Sequence, residues 1–258
     1  MNYKKYLFFF ILSIFIISCK SEDNTQVDED GIITGLQTKT LTHDNVNRNY
    51  LVYIPDSYDS EIDYPLMFVF HGFGGIATQF INTADMRDLA ESNNFIVVYP
   101  QGLDLAGTGS HWNCSNPSAD NKSDVDDIGF IENLIDQLIV DYPVIDSKRI
   151  YAAGYSNGGF MSYYLACNSK KFAAIGSVAG TMLDDSYQSC NANFPTAMIN
   201  IHGTDDFDVP YDGNIYYPSI PEVVDWWKIF NNTPNEDLLT NQDGSIEQYK
   251  YYNNAGDI

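Results

Sequence analysis

The sequence predicts an α/β fold: a mostly parallel sheet covered by helices on both faces. Two observations predict it. From residue 31 onward, short apolar runs alternate with amphipathic stretches of helical period. The strand-like runs are also apolar nearly end to end, as strands buried on both faces are. With 258 residues, 44% of them hydrophobic, the chain can bury one large core. It shows neither an internal repeat nor a second-domain boundary.

Taken in order, the first segment is MNYKKYLFFFILSIFIISCK. Lys4 and Lys5 precede an apolar stretch, Leu7 to Ile17, then Ser18 and Cys19. A basic start, a short apolar middle and a small residue before the cut predict a signal peptide over 1–18. The apolar stretch is too short for a comfortable membrane span. The end of it, IISC, resembles the lipobox of bacterial lipoproteins, which implies lipidation of Cys19 and a secreted, membrane-anchored protein of the cell envelope. Residues 19–31 are polar and acidic and read as a tether.

The folded part is expected over 32–258. YLVYIP (50–55) and PLMFVFHG (65–72) read as strands. Residues 77–94 have helical composition, and FIVVYP (95–100) is a strand again. Residues 127–143 space Ile128, Ile131, Leu134, Ile135, Leu138 and Ile139 at helical intervals, and Pro143 ends them. RIYAAGY, a helix-like GGFMSYYLACN, FAAIGSVAG and TAMINIHG continue the alternation. PEVVDWWKIFNN opens with a proline suited to a first helical turn, and SIEQYKYYN reads as a last strand. Residues 103–126, rich in Gly, Ser, Asn and Asp, resist assignment. Loops that long are usually functional or disordered. Trp112 in its middle is a candidate substrate platform or an anchor for the loop, and His111 beside it is a candidate substrate contact.

A formal charge of −22 and the lack of a basic stripe exclude nucleic-acid partners. Beyond Cys19, three cysteines remain: Cys114, Cys167 and Cys190. Three is odd, so one stays free or pairs elsewhere. Cys167 and Cys190 flank one strand-like run and are the first pairing to test. No cysteine or histidine spacing points to zinc, and no metal or organic cofactor is expected.

Three stretches follow strand-like runs: HGFGG (71–75), GYSNGG (154–159) and HGTDDFDVP (202–210). Ligands of open parallel sheets bind beyond the carboxyl ends of strands. G-x-S-x-G lets the backbone turn sharply from strand to helix and exposes the serine, here Ser156. Gly154 and Gly158 keep side chains out of the turn. The N–H of Asn157, at the start of the helix, is a candidate oxyanion donor, and HGFGG offers a second in Phe73. A serine needs a histidine base oriented by a carboxylate. Asp205, Asp206 and Asp208 all follow the serine, and chemistry alone leaves the three open.

HGFGG, VDDIGFI, GYSNGGFMSYYLAC, SVAGTM and HGTDDFDVPY together resemble the secreted polyhydroxybutyrate depolymerase and feruloyl esterase group of α/β-hydrolases, in consistent order over roughly 36–258. The resemblance implies the α/β-hydrolase fold, Ser156 as nucleophile and Asp206 as acid. It also implies an ester substrate, either a feruloyl or acetyl ester on polysaccharide or a polyester. None of the four histidines, His43, His71, His111 and His202, follows Asp206. Members of the group carry the base in a glycine-flanked turn after a strand like SIEQYKYYN. The expectation is therefore a sequence incomplete before that base and before its last strand or strands, inactive as it stands. The competing expectation is a non-catalytic surface lipoprotein that binds glycan through its aromatics.

Overall fold

A computed structural model describes residues 31–116 and 123–256. The signal peptide, Cys19 and the tether up to residue 30 lie outside the described residues. Strands β1 (Gly35–His43) and β2 (Val46–Ile54) form an antiparallel hairpin. Its two turn residues, Asp44 and Asn45, both take positive φ (49° and 64°). Asp and Asn tolerate this left-handed conformation, which matches the twist of a two-residue hairpin. β1 escaped the apolar-run reading because most of its residues are half-buried or exposed.

β3 (Tyr64–Phe70) leads to α1 (Ala77–Thr83) and α2 (Arg87–Asn93). The single helix expected over 77–94 is thus two. At the break, the Tyr99 hydroxyl donates to the Ala84 carbonyl at 2.7 Å and accepts from the Met86 N–H at 3.0 Å. That satisfies backbone groups a continuous helix would have paired internally. After β4 (Ile96–Pro100), the long loop contains two short paired segments, β5 (Leu103–Asp104) and β6 (Ser110–His111). Then follow α3 (Asp127–Asp141), β7 (Ile145–Tyr155), α4 (Asn157–Asn168), β8 (Ala174–Val178), α5 (Asp184–Ser189), β9 (Ala197–Ile201) and α6 (Ile220–Phe230). β10 (Asn235–Thr240) and β11 (Glu247–Tyr252) close the described chain.

Seven strands form one sheet in the order β1-β2-β4-β3-β7-β8-β9. Strands β4, β3, β7, β8 and β9 run parallel, and β1 and β2 are antiparallel additions at one edge. Side chains alternate between the two faces. Val52, Phe68, Phe70 and Val98 join α3, α4 and α6 in one core layer. Leu51, Tyr53, Val69, Val97 and Tyr99 join α1 and α2 in the other. The last strand expected from SIEQYKYYN is present as β11, which lies outside this sheet and pairs antiparallel with β10 in a separate hairpin. Its side chains are largely exposed, and Lys228 of α6 reaches it over the Tyr251 ring at 4.1 Å.

One buried ion pair fixes the approach to the site. Arg48 on β2 donates to Asp127 at 2.6 Å, with both side chains almost fully buried and the guanidinium 4.0 Å from the Phe130 ring centre. The other Asp127 oxygen accepts the Asn113 N–H at 2.8 Å. Burial pushes the Asp127 carboxyl up, against the pull of Arg48 and of that N–H. The long loop is thereby tied to the start of α3.

Candidate active site

At the carboxyl end of β7 the chain reverses into α4 through Ser156, which holds φ 51° and ψ −119°. A non-glycine residue held there is strained, and such strain concentrates at functional sites. The sequence makes the turn possible with glycine on either side. A Cβ on Gly154 would collide with the backbone of Gly158, and one on Gly158 would fall on the Phe70 carbonyl. The Ser156 N–H is tied to the Val178 carbonyl of β8 at 2.8 Å, while its own carbonyl accepts from Gly159 and Phe160. Asn157 occupies the first helical position, whose N–H has no acceptor within the helix.

The HGFGG loop lies directly over this turn: a Cβ on Gly72 would stand 3.4 Å from Ser156 Cβ and 3.1 Å from Tyr155 Cδ1. His71 shapes the loop. Its Nε2 accepts the Gly102 N–H at 3.0 Å, so Nδ1 carries the proton and donates to the Gly72 carbonyl at 2.7 Å. That carbonyl belongs to the same peptide unit as the Phe73 N–H. In a trans peptide the two point in opposite directions, so fixing the oxygen aims the N–H. Burial pushes the His71 imidazole down from its ordinary value, with the Gly72 contact opposing, and so favours the neutral form.

Asn157 is also held through its side chain. Its Oδ1 accepts the Trp112 N–H at 2.7 Å, and its Nδ2 donates to the Trp112 carbonyl at 3.0 Å. The Trp112 indole donates to the His71 carbonyl at 3.0 Å, and its ring meets Phe70 edge-on. Trp112 is 1% exposed and His111 3%. The expectation of a substrate platform at Trp112, or a substrate contact at His111, is therefore corrected. Trp112 ties the long loop to Asn157 and to the start of the HGFGG loop, and His111 is bonded to Ser123 Oγ at 2.9 Å.

The acid candidates lie past the carboxyl end of β9, the second strand over from β7 in the sheet. Asp205 and Asp208 are exposed. Asp206 is more sheltered: its Oδ1 accepts the N–H groups of Asp208 and Val209 at 3.0 and 2.9 Å, and its Oδ2 faces His202 Nε2 at 3.6 Å. His202 Nε2 makes its closer contact with the Val209 carbonyl, at 2.7 Å. Cys167, in α4, is joined to Cys190 in a disulfide. Cys114 is a buried free thiol whose sulfur contacts the carbonyls of Trp112 and Asn157.

Comparison with solved structures agrees with this topology. An acetyl xylan esterase from Aspergillus awamori superposes with a TM-score of 0.62 over 83% of this chain and 91% of its own, at 17% identity. A thermostable esterase gives 0.59 over 80% and 59%. The family model described as "Prolyl oligopeptidase family" matches residues 84–191. In sequence, a probable feruloyl esterase C of Aspergillus niger is 31% identical over 180 residues, covering 67% of this chain and 60% of the relative. Feruloyl esterase D of Neurospora crassa is 30% identical over 182 residues, or 66% and 57%. The chain is an α/β-hydrolase of the feruloyl esterase-like group. It spans about three fifths of the length of these curated relatives.

Two features of this α/β-hydrolase were not singled out from sequence. Tyr155 and Phe207 are 51% and 94% exposed, beside Ser156 and Asp206 respectively. With Phe73, 50% exposed, they put apolar rings on the three loops that frame the site. An aromatic next to a motif residue in sequence carries no signal of which way it points, so only the fold reveals them.

Proposed function

We propose that the protein is a serine ester hydrolase acting on feruloyl or acetyl esters of polysaccharide. The observation that carries the reading is the Ser156 turn: a strained serine at a helix start, with the Asn157 N–H beside it and the Phe73 peptide aimed by His71. Ser156 Oγ attacks the ester carbonyl. The oxyanion is held by the N–H groups of Asn157 and Phe73, the alcohol leaves, and water releases the acid from the acyl-enzyme. Asp206 orients the imidazole that takes and returns the proton. Three exposed rings at the rim favour an aromatic acyl group such as ferulate.

The imidazole is not one of the four present. His71 and His111 are buried in other bonds, His43 lies at the distant β1–β2 turn, and His202 is bonded to Val209. We therefore expect residues 1–258 to hydrolyse aryl acetates slowly, and imidazole in solution to raise the rate. Ser156→Ala should abolish both that rate and labelling by a fluorophosphonate. Equal turnover in Ser156→Ala would sink the ester-hydrolase reading. A chain that carries a base and still fails to label would favour glycan binding without turnover. The N-terminal pattern supports envelope anchoring through lipid on Cys19, which mass spectrometry of the mature N-terminus would test.

A further inference from the structure

Far from Ser156, the β1–β2 turn and the start of α3 bring together His43, Asp44 and Asp126, with donor atoms all within 4.8 Å of one another. His43 Nε2 stands 3.4 Å from Asp126 Oδ2 and 3.6 Å from Asp44 Oδ2. The imidazole side chain is only 10% exposed. Its Nε2 is buried and makes no hydrogen bond, so it is aimed between two carboxylates without bonding either.

We propose that His43 Nε2, Asp44 and Asp126 bind a divalent transition-metal cation, for which zinc is the natural probe. The spacing fits. Ligand atoms about 2.0–2.2 Å from a tetrahedral zinc stand roughly 3.3–3.6 Å from one another. The donor set, one imidazole and two carboxylates, suits zinc and its neighbours better than calcium or magnesium, which take oxygen alone. Electrostatics point the same way. Two carboxylates converge on one imidazole, and Arg48, which lines the same cavity, is already engaged by Asp127 at 2.6 Å.

The surroundings hold the donors in place. Asp126 Oδ1 accepts the Gly129 N–H at 2.8 Å, which leaves Oδ2 to face His43. Gly129 leaves room for this arrangement, since a Cβ there would fall on the Asp126 carboxylate and 3.0 Å from His43 Cε1 and would displace that carboxylate. Asn133 Nδ2 stands 2.9 Å from His43 Nδ1. Cation binding requires this amide to turn over, so that its oxygen accepts Nδ1–H and Nε2 presents its lone pair, the outer-shell arrangement typical of metal-binding histidines. A cavity of about 280 Å³, lined also by Asp124, borders the cluster and gives access to water and metal. A cation here would tie the hairpin turn to the start of α3. Asp127, the next residue, holds the loop that carries Trp112, so the role is structural.

The test uses the untagged full chain, stripped with a chelator and titrated with zinc chloride at pH 7.5 by calorimetry and thermal unfolding. One equivalent should bind and raise Tm. His43→Ala and Asp44→Asn should each weaken binding tenfold or more, whereas Asp243→Asn, an exposed acid in the β10–β11 turn, should not. Asn suits the positive φ at 44, so Asp44→Asn keeps the fold. Absence of zinc binding, or binding unchanged in both site variants, overturns the proposal. So does a zinc-independent rise in Tm on acidification that vanishes in His43→Ala, which would mean a protonated imidazole bridges the carboxylates instead.

Discussion

Ser156 and His71 show how much a single residue can set. Ser156 holds a strained backbone only because Gly154 and Gly158 leave room for it, so Gly158→Ala should be severe. Its new methyl group would meet the Phe70 carbonyl, and overpacking of this kind costs about 3 kcal/mol. A lowered urea midpoint would show it; an unchanged midpoint would mean that the turn is looser than drawn. His71 gives a pH signature. Its folded pKa lies below the ordinary 6.5, with burial the leading cause. The unfolded chain therefore takes up the proton first as pH falls. Stability is full above about 6.5 and is lost as pH drops toward the folded value. His71→Asn should be less stable at pH 8 but should lose less Tm between pH 7 and 5. Parallel Tm curves for the two proteins would contradict the neutral imidazole. Both glycines and the serine were legible in G-x-S-x-G. The aim of the Phe73 peptide was not, because it depends on Gly102, which is distant in sequence.

Among the elements, those built from continuous apolar runs were legible, as β2, β3, β4, β7, β8 and β9 each coincide with one. β1 was missed because an edge strand has no need to be apolar throughout. The split of 77–94 into α1 and α2 rests on the Tyr99 hydroxyl, a tertiary contact that helical periodicity cannot report. β11 was recognised as a strand, but SIEQYKYYN does not say which partner it will find, and it pairs with β10. The disulfide belongs to this scale too. Cys167 and Cys190 close a loop with a sequence separation of 23, containing β8 and α5. Constraining the unfolded chain over such a loop is worth about 3 kcal/mol. Replacing both cysteines with alanine should lower the unfolding free energy by about that much, as read from urea melts. A double variant as stable as the parent would show that the bridge contributes nothing.

For the molecule as a whole, thirty-five acidic residues against thirteen Lys and Arg give a formal charge of −22. Most of the charge sits on the surface, where like charges repel one another and weaken the compact state. The exceptions are paired: Asp127 with Arg48 is buried and hydrogen-bonded, so salt screens it little. Screening should therefore act on the repulsion more than on the attractions. The Debye length falls from roughly 10 Å at 0.1 M salt to 3 Å at 1 M. Sodium chloride from 0.05 to 0.5 M should raise Tm by several degrees, since about 1 kcal/mol shifts a domain of this size by 2–4 °C. Most of the rise should come below 0.2 M, where screening changes fastest, which separates it from the slower strengthening of apolar burial at high salt. A Tm that is flat or falls over this range would mean that surface ion pairs such as Arg149 with Asp146 and Lys228 with Asp225 outweigh the excess of acid. The fold would then depend on local charge order more than its composition suggests.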